Sequence, residues 1–298
     1  MCGIVGYVGK NNAQEFLLSG LKRLEYRGYD SAGVATLDQN QKPTLLRAVG
    51  KIVNLEAKIK DHYTSDHIGI GHTRWATHGN PSETNAHPHH VGSIFLVHNG
   101  IIENYKALKK ELSEKYQFKS ETDTEVLAAL IDSFYQESHD LLDSVTQALK
   151  LVSGTYGIAV MSADDTEHLV VARSGSPLVI GVGEHETLIA SDASALIGNT
   201  KNAIYLNDGE VALISKDHVE VKTLDLQPVS VKVEKILTDL SAIQKGGYDH
   251  FLLKEIMEQP DSLKETLRGR INAKEHTVHL GGPNLSVKEL KEIKHIIL

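Results

Sequence analysis

Apolar positions follow two different periods in the first hundred residues of the chain. Residues 2–8 are almost all apolar or glycine, which is typical of a short buried strand. Residues 12–26 instead carry apolar side chains at helical spacing with charges on the opposite face, which predicts an amphipathic helix. Further strands are predicted at 31–37, 67–75 and 92–100. The last of these runs ends in Asn-Gly, which predicts a sharp turn at that point.

The rest of the chain groups its predicted helices and strands into blocks. Two or three helices are predicted between about 104 and 151, and short β-like segments recur from about 156 to 233. Because strands, helices and strands follow one another in blocks, and not as alternating βαβ units, the pattern predicts an α+β fold.

The pattern changes after about residue 234. Residues 238–247 have the composition of a flexible connection, and residues 248–271 show an amphipathic helical pattern interrupted by Pro260. The final residues form a short helical pattern that runs into the start of an apolar strand. Because a domain does not normally stop on the first residues of a strand, we expect a C-terminal half that this chain lacks.

Composition narrows the class of protein. The chain has 298 residues, 41% of them hydrophobic, which suits one large domain or one domain with a fragment of a second. Its formal net charge of -8 argues against a nucleic-acid surface, which would need clustered positive charge. Its apolar runs are too short to span a membrane, its first residues lack the basic start of a signal peptide, and one cysteine cannot form an internal disulfide. These features predict a soluble protein of the reducing cytoplasm, with no nucleic-acid partner and no membrane partner.

The only cysteine is Cys2, which becomes the first residue if the initiator methionine is removed. Its thiol would then share a residue with a free α-amine, whose reference pKa of about 8 lies close to working pH. Such an amine can take the thiol proton directly or through one water, as in enzymes with an N-terminal nucleophile. Taken alone, a cysteine at position 2 is better explained by chance or by packing in the first strand.

Several motifs accompany this cysteine. "CGIVG" at 2–6 is followed by "YRGYDSAG" at 26–33, "HTRWATHG" at 72–79, "HNG" at 98–100 and "SETDTE" at 120–125. Together they resemble the glutaminase domains of class II glutamine amidotransferases, which are N-terminal-nucleophile hydrolases. The second and third motifs, with "EIMEQP" at 255–260, resemble the branch of that family that passes ammonia to fructose 6-phosphate. The resemblance covers essentially the whole chain.

The resemblance implies a fold, a domain organisation and partners. The implied fold is an α+β, four-layer αββα sandwich of the N-terminal-nucleophile hydrolase type. Residues 2–220 would form the glutaminase domain, 221–284 an interdomain segment and linker, and 285–298 the truncated start of a sugar isomerase domain. The implied substrate is L-glutamine, and no cofactor is expected. Fructose 6-phosphate would be reached only through the missing C-terminal half, and the full-length protein would be a homodimer.

Attack by a nucleophile places negative charge on the substrate oxygen, and hydrogen-bond donors must be fixed about 3 Å from that oxygen. Asn99 offers a side-chain N–H and Gly100 a backbone N–H that no Cβ obstructs, and the resemblance makes these two the oxyanion hole beside Cys2. An ordinary Asn-Gly turn is the alternative. The resemblance also places Arg27 close to the nucleophile, in a supporting or a purely structural role.

Glutamine also presents an α-carboxylate and an α-ammonium group. Arg74 suits the carboxylate because a guanidinium group pairs with it in a planar, bidentate geometry, and Asp123 suits the ammonium group. The resemblance assigns both roles. A surface salt bridge for Arg74 and a helix-capping role for Asp123 are the alternatives, and Asp123 is able to be both cap and ligand.

Three residues after Arg74 complete the implied site. The resemblance makes Thr77 and His78 line the glutamine site. It makes the loop over 76–85 close on bound glutamine, and it makes the indole of Trp75, the only tryptophan, gate the passage of ammonia. A buried core tryptophan is the alternative.

A cluster of histidines raises the question of a metal site. The cluster comprises His87, His89 and His90, with His72 and His78 upstream. Pro88 disrupts a regular strand there, and the sequence contains neither a cysteine pair nor an HExxH pattern, so no metal is expected.

Two rival functions stay open at the level of the sequence. One is the glutaminase half of another class II amidotransferase, of the phosphoribosyl or asparagine type, which shares the "CGI" start and the "HNG" motif. The other is a fragment that binds glutamine without turning it over.

Overall fold

Successive residues of the strand Ile94–Ile102 enter two different hydrophobic cores. Ile94 and Leu96 pack with apolar residues of three helices, whereas Phe95 and Val97 pack against a second β-sheet. A strand that is covered on both faces has an almost continuous apolar sequence. Because its side chains alternate between the two faces, successive residues enter different layers. The N-terminal part of the chain, up to Leu240, therefore has four layers in the order helices, sheet, sheet, helices, which confirms the predicted α+β sandwich.

The computed structural model describes residues 2–28, 30–38, 40–76, 79–236, 248, 250–267, 271–272, 277–278 and 287–294. Residues 27, 251, 261, 264–267, 271–272, 277–278, 287 and 289–290 are described in their backbone alone. The chain forms two compact units, Met1–Leu240 and Ser241–Leu298. None of the described helices is both long enough and apolar enough to cross a membrane.

The first sheet of the N-terminal unit has eight strands. They are β1 (Gly3–Gly9), β2 (Ser31–Leu37), β3 (Pro43–Val49), β4 (Ile68–Arg74), β9 (Val179–Val182), β10 (Glu186–Ala190), β11 (Asn202–Tyr205) and β14 (Glu234–Lys235). Their order is β14-β11-β9-β10-β1-β4-β2-β3, and each neighbouring pair is antiparallel. The first strand of the chain thus lies inside the sheet, between β10 and β4.

The second sheet has six strands. They are β5 (His89–Val91), β6 (Ile94–Ile102), β7 (Gly154–Ser162), β8 (Leu169–Ser174), β12 (Glu210–Ile214) and β13 (Val219–Thr223). Their order is β13-β12-β8-β7-β6-β5, again antiparallel throughout.

Helices cover the outer face of each sheet. They are α1 (Ala13–Leu24), α2 (Ile52–Asp61), α3 (Tyr105–Leu112), α4 (Asp123–Ser138) and α5 (Leu141–Lys150). The first two pack on the first sheet, and α4 and α5 pack on the second, with α3 against α4. A 3-10 helix, Glu25–Arg27, follows α1 directly.

The C-terminal unit contains a longer helix, α6 (Phe251–Leu267), a pair of two-residue strands, β15 (Ile271–Asn272) and β16 (Thr277–Val278), and a short helix, α7 (Val287–Glu292). The interruption predicted at Pro260 is wrong, because α6 runs through it. A proline removes one backbone donor, and the helical bonds on either side are enough to continue the helix. The predicted connection at 238–247 and the predicted final strand lie outside the described residues.

The turn predicted at Asn99-Gly100 is also wrong. Strand β6 continues to Ile102, and the two residues lie opposite Gly157 and Tyr156 of β7. Gly100 has a φ of +133°, and a Cβ atom there would lie 2.0 Å from the Thr155 carbonyl oxygen. The glycine is therefore required by close packing of two strands, and not by a chain reversal.

Strand β3 and helix α2 are among the elements of the N-terminal unit that were not predicted. Strand β3 has only one buried residue, Ala48, so it lacks the strong apolar run of a core strand. Helix α2 buries Ile52, Leu55 and Ile59, whose helical spacing is a usable signal in the sequence.

The predicted domain boundaries at 220 and 284 stay predictions. Strand β13 continues past the first of them, to Thr223.

Candidate active site

Six of the predicted site residues line one cavity of about 290 Å³. The cavity lies where the start of β1 meets the end of β4, strand β6 and the first turn of α4. The six are Cys2, Arg74, Trp75, Asn99, Gly100 and Asp123. Met1, Thr77, His78 and the side chain of Arg27 lie outside the described part of the chain, so their predicted roles stay predictions.

The thiol of Cys2 is held by the backbone of the neighbouring strand end. Cys2 directly precedes β1 and is half-buried, and its Sγ accepts a hydrogen bond from the Trp75 backbone N–H at 3.2 Å. Burial raises the pKa of the Cys2 thiol above its usual range, and the Trp75 N–H only partly opposes this. A raised pKa leaves less thiolate at neutral pH, so the thiol needs a base before it attacks.

The start of β1 is fixed by side chains from both neighbouring strands or their ends. The Gly3 N–H donates to Thr73 Oγ1 at 3.1 Å, and the Ile4 N–H donates to Ser191 Oγ at 3.0 Å. A Cβ on Gly3 would lie 2.7 Å from Thr73 Oγ1. These contacts hold a chain terminus that would otherwise fray, so Cys2 keeps a defined position relative to the cavity.

The side chain of Asn99 lies beside Cys2. Its Nδ2 donates to the Cys2 carbonyl oxygen at 3.2 Å, and its Oδ1 lies 3.0 Å from His72 Nε2. Gly100, the next residue of β6, lines the same cavity. An amide donor and a thiol therefore line one cavity, which is an arrangement suited to acyl transfer.

Arg74 is the last residue of β4 and is only 4% exposed, so the alternative of a surface salt bridge is wrong. Its Nη2 lies 3.4 Å from the Gly79 carbonyl oxygen, and the side chain lines the cavity. A buried guanidinium group at a cavity wall is well suited to pairing with a carboxylate that enters the cavity.

Asp123 is the first residue of α4 and is 5% exposed. The alternative of a capping aspartate is wrong, because the cap is Thr122, whose hydroxyl accepts from the Glu125 N–H at 3.3 Å. Asp123 Oδ2 instead accepts from the Ile102 N–H at 2.8 Å. This bond joins α4 to the end of β6 and holds the carboxylate at the cavity wall.

Trp75 is 52% exposed, so the alternative of a core tryptophan is wrong. It follows Arg74 directly and lines the cavity beside Cys2. An exposed indole at the edge of a cavity is available to cover a ligand, whereas a core residue is not.

The far end of the predicted closing loop is anchored. Asn85 Nδ2 donates to Glu121 Oε2 at 3.1 Å, and the Glu121 N–H donates back to Asn85 Oδ1 at 3.0 Å. Arg47 Nη1 contacts the Glu83 carbonyl oxygen at 3.1 Å and the Ala86 carbonyl oxygen at 3.3 Å. These contacts fix residues 83–86 to β3 and to the segment that precedes α4.

Asp30 is a site residue that the sequence reasoning missed. Its carboxylate accepts hydrogen bonds from the Ala76 N–H and from the Ser31 hydroxyl, and its own N–H donates to the Arg74 carbonyl oxygen at 3.2 Å. These bonds fix the segment whose Trp75 N–H points at Sγ. The available signal was its place in "YRGYDSAG", a motif from which only Arg27 was selected.

Three histidines of the predicted cluster, His72, His87 and His89, are buried in the protein interior, as is His98, whereas His90 is exposed. His89 Nε2 lies 2.9 Å from Thr122 Oγ1, and His98 Nδ1 lies 3.0 Å from Thr124 Oγ1. Burial lowers the pKa of His87 and His89 well below the usual range, which keeps both neutral. Within the part of the chain that the structure describes, no group of three or more His, Cys, Asp or Glu side chains is placed to hold a metal ion.

Comparison with known proteins gives a consistent result. Residues 32–247 match the model of the glutamine amidotransferase domain family. The glutamine–fructose-6-phosphate aminotransferase (isomerizing) of Chlorobaculum tepidum is 48% identical over 306 residues, covering 100% of this chain and 50% of that protein. The enzyme of the same name from Bacteroides thetaiotaomicron is 47% identical, over 100% of this chain and 49% of that protein. The chain thus spans about half the length of the curated relatives it matches.

A solved structure shares the fold at lower identity. The glutamine phosphoribosylpyrophosphate amidotransferase of B. subtilis, complexed with ADP and GMP, superimposes with a TM-score of 0.65 at 27% identity. The superposition covers 76% of this chain and 50% of that one.

Proposed function

Because the chain belongs to the glutamine amidotransferase domain family, we propose that it hydrolyses L-glutamine to L-glutamate and ammonia through a γ-glutamyl thioester on Cys2. The observation that carries the proposal is the cavity itself. A half-buried thiol and the Asn99 amide share it, and the Asn99 Nδ2 lies 3.2 Å from the Cys2 carbonyl oxygen.

The reaction proceeds in two balanced stages. The Cys2 sulfur attacks the side-chain carbonyl carbon of glutamine, forming a C–S bond and an oxyanion that the Asn99 Nδ2 and the Gly100 N–H stabilise. The C–N bond then breaks, ammonia leaves with the proton taken from the thiol, and the thioester remains. Water attacks this thioester and releases glutamate, and the thiol regains its proton.

The base in this proposal is the α-amine of Cys2, which becomes free when Met1 is removed. An α-amine has a pKa of about 8, so about a tenth of it is neutral at pH 7 and able to accept a proton, and this share rises with pH. The raised pKa of the buried thiol supports the need for such a base. Arg27 would act in support, near the nucleophile.

Binding of the rest of the substrate is assigned to two buried charges. Arg74 would pair with the α-carboxylate of glutamine, and Asp123 with its α-ammonium group. Both are at least nine-tenths buried and both line the cavity of Cys2, which supports the assignment. Thr77 and His78 would line the same site, and Trp75 would close over it and control the exit of ammonia.

The ammonia acceptor follows from the relatives. The relatives at 47–48% identity are named for fructose 6-phosphate, whereas the phosphoribosyl enzyme of similar fold is 27% identical. We therefore favour fructose 6-phosphate over a phosphoribosyl acceptor, with glucosamine 6-phosphate as the product of a full-length, dimeric protein in hexosamine biosynthesis. A reducing cytoplasm fits this role, because the nucleophile must stay a free thiol.

The proposed function is tested by the release of glutamate and ammonia from L-glutamine by the purified chain. We expect stoichiometric amounts of the two products, without fructose 6-phosphate. L-Asparagine serves as a control, since its amide carbon would lie one methylene short of the sulfur once its α-groups are bound. Binding of glutamine without any product would favour the rival function of an inactive fragment.

Replacement of Arg74 by alanine should raise the KM for glutamine by roughly 10- to 100-fold, the scale of one charge-assisted contact. Its effect on kcat should be much smaller, because the α-carboxylate is bound alike in ground and transition states. Arg74→Lys keeps the charge and loses the planar pair of donors, so its KM should lie between those of the alanine variant and wild type. An unchanged KM in a folded Arg74→Ala variant would remove Arg74 from the glutamine site.

A further inference from the structure

His72 is a fully buried residue of β4 in contact with the proposed oxyanion donor. Its Nε2 lies 3.0 Å from Asn99 Oδ1. The His87 ring stacks on its ring with the centroids 4.2 Å apart, and His87 Nδ1 in turn accepts from the His98 N–H at 3.4 Å. The ring of His72 is therefore held in one orientation by packing as well as by its bond to Asn99.

The Cys2 carbonyl oxygen shows which end of the Asn99 amide is the NH₂ group. A carbonyl oxygen only accepts hydrogen bonds, so the group of Asn99 that lies 3.2 Å from the Cys2 carbonyl oxygen must be the NH₂ group. The group that faces His72 is then Oδ1, which also only accepts. His72 must therefore carry its proton on Nε2.

The surroundings of the ring agree with this protonation state. Burial lowers the pKa of His72 to about 3, so the ring is neutral at working pH and carries a single N–H. Its Nδ1 has no hydrogen-bond partner among the described residues. A proton on Nε2 is used by Asn99 Oδ1, which has no proton of its own to donate.

We propose that His72 is a positioning residue that fixes the Asn99 amide with its NH₂ group toward the oxyanion. This inference rests on the proposed function. Without His72, Asn99 Oδ1 would lose its donor, and only the bond from Nδ2 to the Cys2 carbonyl oxygen would oppose a half-turn of the amide, which would present an oxygen to the developing negative charge. The effect belongs to the transition state, since the α-groups of glutamine are bound elsewhere.

The test uses two substitutions in the purified chain. His72→Leu fills similar space without a hydrogen-bond donor. We expect kcat for glutamine hydrolysis to fall by about 10- to 100-fold, which approaches the effect of removing the Asn99 donor itself. The KM for glutamine should stay within a few-fold of wild type. His72→Gln places an amide N–H near the former Nε2 and should restore most of the lost kcat. Thermal unfolding of each variant reports whether the fold is kept.

A double-mutant cycle separates positioning from a merely structural role. In the Asn99→Ala background, His72→Leu should lower kcat little further, because the group that it orients is already gone. Wild-type kcat in a folded His72→Leu variant would overturn the proposal. So would a full, additive loss in the Asn99→Ala background.

The wild-type chain offers a measurement that needs neither a folded variant nor activity. Long-range ¹H–¹⁵N correlation spectra of the histidine rings distinguish the two neutral tautomers, and we expect His72 to carry its proton on Nε2. A proton on Nδ1 would overturn the proposal. If the wild-type chain does not hydrolyse glutamine, the proposed function fails, while the tautomer still reports on the contact between His72 and Asn99.

Discussion

A chain in which Cys2 is replaced by alanine should bind glutamine and release no glutamate above background. Removal of a covalent nucleophile lowers kcat on the order of 10⁶-fold in a well-studied hydrolase, which exceeds every other effect expected here. The stability of the fold should change little, since Cys2 is half-buried and precedes β1. The measurement is glutamate release from L-glutamine, with thermal unfolding recorded for the same preparation.

Cys2→Ser provides the matched control for the chemistry. Serine is similar in size to cysteine, so the second residue stays small and removal of Met1 is still favoured. The substitution exchanges only the thiol for a much less acidic hydroxyl. We expect a severe loss of activity in this variant too. Activity that survives in Cys2→Ala would exclude Cys2 as the nucleophile.

Replacement of Asn99 by alanine should lower kcat by about 10²- to 10³-fold, the cost of one oxyanion donor, or roughly 2.7–4 kcal/mol of transition-state stabilisation. The KM for glutamine should change far less, because the ground-state carbonyl needs the donor less than the oxyanion does. Steady-state kinetics of glutamine hydrolysis measure both values.

Asn104→Ala is the matched control for Asn99. Asn104 Nδ2 donates to the Leu151 carbonyl oxygen at 2.8 Å, and its Oδ1 accepts from the Ser153 N–H at 3.0 Å. Its loss should lower stability and leave kcat unchanged, because the residue does not line the cavity of Cys2. A wild-type kcat for Asn99→Ala would remove Asn99 from the oxyanion hole.

The sandwich fold was predictable where burial is strong on both faces. Strands such as β1 and β6 are continuous apolar runs because each contacts a sheet on one side and helices on the other. Strand β3 lies at the edge of its sheet and is mostly half-exposed, so its composition carried little signal. The layered fold itself came from the resemblance, since periodicity indicated only an α+β class.

The candidate site was predictable in its residues and not in its contacts. Asn99-Gly100 has the composition of a turn, and only the pairing with β7 reveals an extended strand. Thr122 caps α4, whereas the Asp123 carboxylate accepts a hydrogen bond from the Ile102 N–H, a partner that is distant in sequence. The sequence indicates His72 only as a possible metal ligand. Its bond to Asn99 depends on how β4 and β6 lie against each other, which no local pattern shows. Such long-range contacts have no local pattern in the sequence.

The central claim is that Cys2, with a free α-amine, carries a γ-glutamyl thioester during turnover. Acid quenching of the reaction followed by mass spectrometry of the N-terminal peptide tests it most directly. We predict a peptide that begins at Cys2, lacks Met1 and carries one γ-glutamyl group on the sulfur, with the group absent when glutamine is omitted. An active chain that keeps Met1, or a γ-glutamyl group on any other residue, would contradict the account.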